Sequence, residues 1–249
     1  MRVAVAGGTG LVGGLLVLAL KDIGHEPVVL ARPTGVDITV GTGLDQALRG
    51  ADTVVDVSNV TTTRAGRSVA FFTAGTRHLL EAGQRAGVRH HVSLSIVGVD
   101  RVDYGYYEGK RAQERLVLGG QVPGSVLRTT QFHEFAGQIL TRSHGPFALM
   151  PTVRTQPVAA REVAAALAEL AAGPAVGLAP ELAGPQEHEL VDMARRLIRA
   201  TGQRRRVVPV RLPGAAGRQM AGGGLLPAGP GRRGTETFDQ WLHRATAAA

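Results

Sequence analysis

The sequence contains no cysteine, few aromatic residues and only two lysines among 249 residues. The absence of cysteine excludes a disulfide framework, a thiolate zinc site and a cysteine nucleophile. Aromatic residues make up 4% of the chain, and no alternation of basic and aromatic residues offers nucleobases a stacking surface. Charged residues (19%) and hydrophobic residues (44%) are close to ordinary globular usage, which excludes the disordered and collagen-like classes.

The net charge of +8 would be consistent with a phosphate-rich partner, but the basic residues are not clustered. Apart from Lys21 and Lys110, every basic residue is an arginine, and the arginines are scattered along the whole chain. Alanine and glycine are also abundant, which indicates a compositional bias rather than a nucleic-acid groove. No nucleic-acid partner is expected. His90-His91 lacks a carboxylate at metal-ligand spacing, so no metal site is expected either.

One uncharged stretch, residues 3–20, resembles a secretory signal or a membrane span in length. It contains five glycines, and each glycine in a helix costs about 1 kcal/mol relative to alanine. The stretch is therefore better divided into a strand, a turn and a helix. We expect a cytoplasmic protein without a membrane segment.

Short apolar runs alternate with longer helical patterns through the first half of the chain, for example Met1–Ala6, Thr53–Val57 and His91–Ser95. This alternation predicts an α/β fold of the Rossmann type, a doubly wound parallel sheet covered on both faces. Beyond residue 130 the alternation weakens, and a lone strand is predicted at residues 207–210. Residues 212–234 are dense in glycine, proline and alanine and are predicted to form a loop. We therefore predict a dinucleotide-binding region, 1–130, and a small C-terminal substrate cap, 131–249, packed on it as one continuous unit.

A glycine-rich turn follows the first predicted strand and precedes the first predicted helix. Glycines at this kind of turn permit a tight bend, close approach to a pyrophosphate and close helix packing, and the helix N-terminus presents N–H groups to the anion. The alternative is an ordinary turn in a glycine-rich protein. The predicted dinucleotide contacts are Gly7, Thr9, Gly10, Leu11, Val12 and Gly13.

The end of the second predicted strand bears on the choice of cofactor. Arg32 lies there without a neighbouring acid, and an arginine at this point pairs with the 2′-phosphate of NADP, so NADP is favoured over NAD. Asp37 is a candidate for contact with the adenine or ribose. The alternatives are a solvated loop arginine and a turn aspartate.

All three tyrosines of the chain fall within residues 104–107, and the rare Lys110 follows them. Tyr106 and Lys110 are spaced i, i+4, which places both side chains on one helical face. A neighbouring ammonium would lower the pKa of the phenol toward a useful acid/base range. Tyr107, at i, i+3, is a rival for this role. Ser95 ends a predicted strand and is a candidate to bind a substrate carbonyl, as an alternative to a backbone-bonded hydroxyl.

These motifs, in this order, resemble an atypical or extended member of the short-chain dehydrogenase/reductase superfamily, close to the NmrA-like NAD(P)-binding proteins. The resemblance rests on Gly7-x-x-Gly10-x-x-Gly13, Arg32, Asp56-Val57-Ser58, Ser93-Leu94-Ser95 and Tyr106-x-x-x-Lys110.

The resemblance implies roles for the matching residues. Tyr106 and Lys110 would handle the proton and the nicotinamide ribose, and Ser95 would polarise a substrate carbonyl. Ser58 and Asn59 stand where the superfamily has small-residue motifs, and cofactor contacts are expected there.

The resemblance also implies a function and a mode of assembly. The expected function is hydride transfer between NADP(H) and a small organic carbonyl, alkene or quinone-like substrate. The alternative is a non-catalytic NADP(H)-sensing regulatory protein that acts through a partner. A homodimer would use helices 68–86 and 106–118, as such folds often do.

Three residues follow the last predicted parallel strand: Gln131, Phe132 and His133. They are expected to line the substrate pocket. The alternative is that they begin a helix with one buried face.

Overall fold

The computed structural model describes residues 1–143 and 145–247, and it divides into two compact units. Unit 1 consists of Met1–Ile96, Tyr104–Arg128 and Arg161–Pro180. Unit 2 consists of Val97–Asp103, Thr129–Ala160 and Glu181–Ala249. The units therefore exchange segments along the chain, whereas the sequence pattern predicts a single division at residue 130. Residues 144, 248 and 249 of the predicted cap lie outside the described residues.

The described strands and helices are numbered in chain order. The strands are β1 (Arg2–Ala6), β2 (Glu26–Leu30), β3 (Thr53–Asp56), β4 (His90–Ile96), β5 (Gly124–Thr129), β6 (Phe147–Pro151), β7 (Arg154–Thr155), β8 (Gly177–Leu178), β9 (Leu182–Ala183), β10 (His188–Glu189), β11 (Arg206–Val210) and β12 (Arg232–Arg233). The helices are α1 (Leu11–Asp22), α2 (Leu44–Ala47), α3 (Ala65–Ala86), α4 (Gly105–Leu118), α5 (Phe135–Leu140), α6 (Ala160–Ala172), α7 (Leu190–Ala200), α8 (Gly214–Ala221) and α9 (Phe238–Ala247). None of the described helices is both long enough and apolar enough to cross a bilayer.

Unit 1 is built on a sheet with the strand order β2-β1-β3-β4-β5-β8. The pairings β1–β2, β1–β3, β3–β4 and β5–β8 are parallel. The chain leaves β1 for β2 on one side and returns to β3 on the other side. A crevice for a ligand forms outside the carboxyl ends of the strands at such a change of direction. The predicted α/β fold with a parallel sheet is confirmed.

Both faces of this sheet are covered by helices, which explains why the central strand β1 is apolar on both of its faces. Val3 to Ala6 are fully buried. On one face, Ala4, Ala6 and Val54 share a core cluster with Leu79 and Ala82 of α3. On the opposite face, the Thr53 hydroxyl donates to the carbonyl of Ala171 in α6.

Unit 2 contains secondary structure that the sequence pattern does not predict. The lone strand predicted at residues 207–210 pairs in parallel with β6, where Val208 is in register with Leu149. The segment 212–234, predicted as loop, contains α8 and β12, so that prediction is wrong. In β6 the side chains alternate between buried and exposed, and strands of this kind are recognised only with their partner.

Candidate functional site

The glycine turn after β1 has two positions at which the fold itself requires glycine. Gly7 has a φ of +80°, and a Cβ at this position would lie 2.9 Å from the Cα of Ser58. A Cβ at Gly13 would overlap the carbonyl oxygen of Gly7. These two glycines allow α1 to pack closely on the turn and the turn to approach the segment after β3.

Gly10 is different, because the fold does not require a glycine there. It is the N-cap of α1 with extended backbone angles. In the described part of the chain, a Cβ at Gly10 would meet only the carbonyl oxygen of Gly7, at 3.3 Å. α1 has no side-chain cap and no acidic residue in its first turn. The exposed residues Thr9 and Leu11 flank this position, and Val12 is buried. Open space therefore lies beside a helix N-terminus that favours an anion.

Arg32 and Asp37 lie after β2. Arg32 opens a short 3₁₀ turn, residues 32–34, and its side chain is exposed. Asp37 Oδ1 accepts hydrogen bonds from the backbone N–H of Thr39 at 2.8 Å and from its hydroxyl at 2.6 Å. These hydrogen bonds and the charge of Arg32 lower the pKa of Asp37. One oxygen of Asp37 thus serves a local turn, and Arg32 remains accessible to a ligand.

Ser58 and Asn59 connect the glycine turn to the tyrosine cluster. Ser58 packs against Gly7 and donates its backbone N–H to Asp56 Oδ1 at 2.9 Å. Asn59 Oδ1 accepts a hydrogen bond from the Tyr106 hydroxyl at 2.7 Å. The ends of β1 and β3 and the first turn of α4 therefore meet in one continuous set of contacts within unit 1.

Tyr106 is half-buried and Tyr107 is buried. Their rings pack edge to face, and the Tyr106 ring also contacts Phe72 of α3, with centroids 5.7 Å apart. Burial, and then the negative charge of Asp56, raise the pKa of Tyr106 above its usual range. The prediction that Lys110 lowers this pKa is therefore wrong for the structure as described. The phenol remains protonated at neutral pH.

The Lys110 ammonium is directed into the interior of unit 1. Nζ donates to the backbone carbonyl of Leu94 at 2.6 Å and to Gln113 Oε1 at 2.5 Å, and it lies 4.5 Å from the centroid of the Phe72 ring. Gln113 Nε2 in turn donates to Asp56 Oδ2 at 2.8 Å. Burial lowers the pKa of Lys110 to about 8, against the opposing effect of the Asp56 charge. Lys110, the expected partner of Tyr106, is thus hydrogen-bonded to Leu94 of β4 and to Gln113 of α4.

Ser95 lies in β4, next to the carbonyl that holds Lys110. It is 2% exposed, and its hydroxyl has no hydrogen-bond partner among the described residues. Ser93 shares its face of the strand and is likewise buried without a partner for its hydroxyl in the described structure. Buried hydroxyls are normally hydrogen-bonded. Ser95 therefore has an unused hydrogen-bonding group at the carboxyl end of the sheet.

The three predicted substrate residues lie in unit 2. Gln131 is half-buried and accepts a hydrogen bond from the Thr155 hydroxyl at 2.7 Å, and Phe132 is half-buried beside a bridge to Val158. His133 has no exposed surface, and its ring packs between aromatic side chains of α9. Its Nε2 lies 3.0 Å from the carbonyl oxygen of Glu236. We therefore assign His133 a packing role within unit 2.

No protein-family model matches the sequence. The chain is 32% identical over 144 residues to the (4-alkanoyl-5-oxo-2,5-dihydrofuran-3-yl)methyl phosphate reductase of Streptomyces griseus subsp. griseus. The alignment covers 52% of this chain and 48% of that protein. The chain thus spans about half the length of this relative.

Solved structures match over nearly the whole chain. A short-chain dehydrogenase/reductase superfamily protein from Agrobacterium tumefaciens with bound NAD has a TM-score of 0.73 at 19% identity, covering 100% of this chain and 97% of that chain. The chain therefore shares its fold with this short-chain dehydrogenase/reductase superfamily protein. An NADPH-dependent quinone oxidoreductase from Escherichia coli in complex with NADPH has a TM-score of 0.72 at 17% identity, covering 98% and 99% of the two chains. At these identities the likeness to solved structures is one of fold.

Sequence reasoning assigned no role to three residues at the centre of this candidate site: Asp56, Phe72 and Gln113. Asp56 is 1% exposed and Gln113 is 1% exposed. One signal was available for each of the polar residues. Asp56 ends an apolar strand with a charge, and Gln113 follows Lys110 at i, i+3 on the same helical face. The sequence gives no signal for the contact of Phe72 with Lys110, because the contact depends on how α3 packs on α4.

Proposed function

We propose that the protein is an NADP(H)-dependent oxidoreductase acting on a small organic carbonyl, alkene or quinone-like substrate. The observation that carries this proposal is the set of contacts from the glycine turn, through Ser58 and Asn59, to the Tyr106 hydroxyl. These contacts bring the N-terminus of α1, which would bind an anion, and the Tyr106 phenol, which would donate a proton, to the same end of the sheet. The aligned Streptomyces relative is a reductase by name, which supports the same reaction class.

The residues of unit 1 fit a dinucleotide. The space beside Gly10 and the N–H groups at the start of α1 would hold the pyrophosphate, and Arg32 would pair with a 2′-phosphate. NADP(H) is therefore the proposed cofactor, and Asp37 is the proposed contact for the adenosine. When bound, the cofactor would supply or accept the hydride.

The side chains of this site would handle the proton and the substrate oxygen. The phenol of Tyr106, protonated because its pKa is raised, would donate a proton to the oxygen of a carbonyl as the carbon is reduced. Ser95 would hydrogen-bond the same oxygen, and Asn59 would orient the phenol. Lys110 would contribute positive charge and a hydrogen bond to the cofactor ribose. In unit 2, Gln131 and Phe132 remain the proposed substrate contacts.

A non-catalytic NADP(H)-sensing NmrA-like regulator is the second candidate. The direction of the Lys110 ammonium favours it, because Nζ is bonded to Leu94 and Gln113 instead of the tyrosine hydroxyl. The test is a titration with NADPH by calorimetry, combined with a screen of quinones, enones and ketones for NADPH oxidation. Turnover of any of these substrates would support the enzyme. Binding without turnover would support the sensor, and absence of binding would contradict both.

We expect the protein to bind NADPH more tightly than NADH, because the exposed Arg32 can pair with the 2′-phosphate. We expect Arg32→Ala to remove most of this preference, because a charge-assisted pair with a 2′-phosphate is worth roughly 1.5 to 3 kcal/mol, or about ten- to a hundredfold in affinity. The affinities are measured by calorimetry with both cofactors. Arg49 is also exposed, and Arg49→Ala is the matched control. Equal affinities of the unmodified protein for NADPH and NADH would overturn the assignment.

We also propose a homodimer through α3 and α4. The two helices pack tightly, because Gly109 lies against Ser68 and the Ser68 hydroxyl donates to the Tyr106 carbonyl at 2.7 Å. Their outer faces border a groove that contains Leu80 and Leu116. We expect sedimentation equilibrium to give twice the monomer mass, and Leu80→Glu to reduce it. A monomer at all concentrations would refute this proposal.

A further inference from the structure

The bridge between Lys110 and Asp56 connects two charged groups in the interior of unit 1 through one neutral side chain. Lys110 is 5% exposed, Asp56 is 1% exposed, and Gln113 lies between them with hydrogen bonds of 2.5 and 2.8 Å. A lysine ammonium only donates hydrogen bonds, and an ionised carboxylate only accepts them. A glutamine amide presents one acceptor and one donor group, so it matches both partners. This chemistry fixes the amide orientation, with oxygen toward Lys110 and nitrogen toward Asp56.

We infer that Gln113 is a positioning residue, which holds the Lys110 ammonium at the carboxyl end of β4 and couples it to the buried carboxylate of Asp56. The two other contacts of the ammonium are the Leu94 carbonyl and the face of the Phe72 ring. Both are neutral, whereas the bridge connects the ammonium through hydrogen bonds to the full negative charge of Asp56. This inference rests on the function proposed above for Lys110.

Two other titratable side chains near this bridge are Glu114 and His91. Glu114, on the same helix, forms an ion pair with Arg128 of β5 at 2.7 Å, with both side chains largely buried. His91 of β4 is buried, and burial lowers its pKa to about 4, so it is neutral at physiological pH. The charged groups that act on Lys110 are therefore Asp56 from β3 and Glu114 from α4. The neutral groups in contact with its ammonium are Leu94 from β4, Phe72 from α3 and Gln113 from α4.

Because the chain has only two lysines, the titration of Lys110 can be measured directly. Protein labelled with ¹³C-lysine gives signals from Lys21 and Lys110, and the exposed Lys21 serves as an internal reference. We expect the Lys110 signal of the cofactor-free protein to titrate near pH 8. Gln113→Met keeps the side-chain length but removes both hydrogen bonds, and we expect the titration of Lys110 to move down by about one pH unit.

Gln113→Glu should have the opposite effect. It places a second carboxylate beside Lys110, so the titration should move up by about one unit while Lys21 is unchanged. Gln84 is exposed on α3, and Gln84→Met is the control substitution. A purely structural role for Gln113 would alter the melting temperature without shifting Lys110 in opposite directions. Identical Lys110 titrations in the unmodified protein and both Gln113 variants would overturn the inference.

Cofactor binding gives a second and separate readout. At pH 7.5 we expect Gln113→Met to weaken NADPH binding by about five- to tenfold, and at pH 6, where Lys110 is protonated in both proteins, the difference should largely disappear. If the lysine signals shift as expected but neither protein binds NADPH, the proposed function fails and the bridge stands. If NADPH binds and the lysine signals do not shift, the bridge fails and the proposed function stands.

Discussion

Tyr106→Phe is expected to lower turnover by about 10² to 10⁴ and to leave NADPH affinity nearly intact. The substitution removes only the hydroxyl that donates to Asn59 Oδ1 and keeps the ring against Phe72. The affected step is proton donation to the substrate oxygen, not formation of the complex. The measurement is NADPH oxidation with a substrate found in the screen, together with calorimetric titration of NADPH.

Tyr107→Phe is the matched control, because Tyr107 is the adjacent tyrosine on the same helix. It is rotated about 100° around α4 from Tyr106, is 7% exposed, and packs edge to face against the ring of Tyr104. We expect it to retain most of the activity. An inactive Tyr107→Phe beside an active Tyr106→Phe would transfer the role to Tyr107. Full activity in both variants would remove the tyrosines from the proton transfer.

Gly10→Val is expected to abolish dinucleotide binding while the protein remains folded. The position faces open space except for the Gly7 carbonyl, so a side chain there would occupy room that the pyrophosphate needs. Gly10→Ala should have an intermediate affinity, because its single methyl group reaches less far. The measurements are circular dichroism for the fold and calorimetry for NADPH.

Gly13 provides the contrast within the same turn. A Cβ at Gly13 would overlap the Gly7 carbonyl oxygen, so Gly13→Ala should impair folding itself and show a lowered melting temperature. The two variants would then show that glycine is required at position 10 for cofactor binding and at position 13 for folding. Unchanged NADPH affinity in Gly10→Val would place the cofactor elsewhere.

The sequence predicts local features of the site well. The glycine turn, the tyrosine cluster and the strand that carries Ser95 are each defined by residues close together in the chain, and their structures follow from backbone freedom and periodicity. The i, i+4 spacing places Tyr106 and Lys110 correctly on α4. It could not give the direction of the ammonium, because that depends on Leu94 and on the distant Asp56.

The pKa of Tyr106 and the pairing of β6 with β11 were beyond prediction for the same reason. Burial, with Phe72 of α3 against the ring, and then the charge of Asp56 raise the pKa of the phenol, and burial is a property of the packed fold. The pairing of β6 with β11 joins two segments that are far apart in the chain. Neither segment identifies its partner by its own pattern.

The exchange of segments between the two units limits how this protein can be divided. In the chain, α6 comes directly after residues 129–160, which belong to unit 2. Residues 161–172 of α6 nevertheless belong to unit 1, where the Ala171 carbonyl accepts a hydrogen bond from the Thr53 hydroxyl. A fragment that ends near residue 130 would lack this helix and would expose one face of the β3 strand. A single crossover between two related genes would likewise combine pieces of both units. Recombination that preserves unit 1 must therefore transfer three separate segments together.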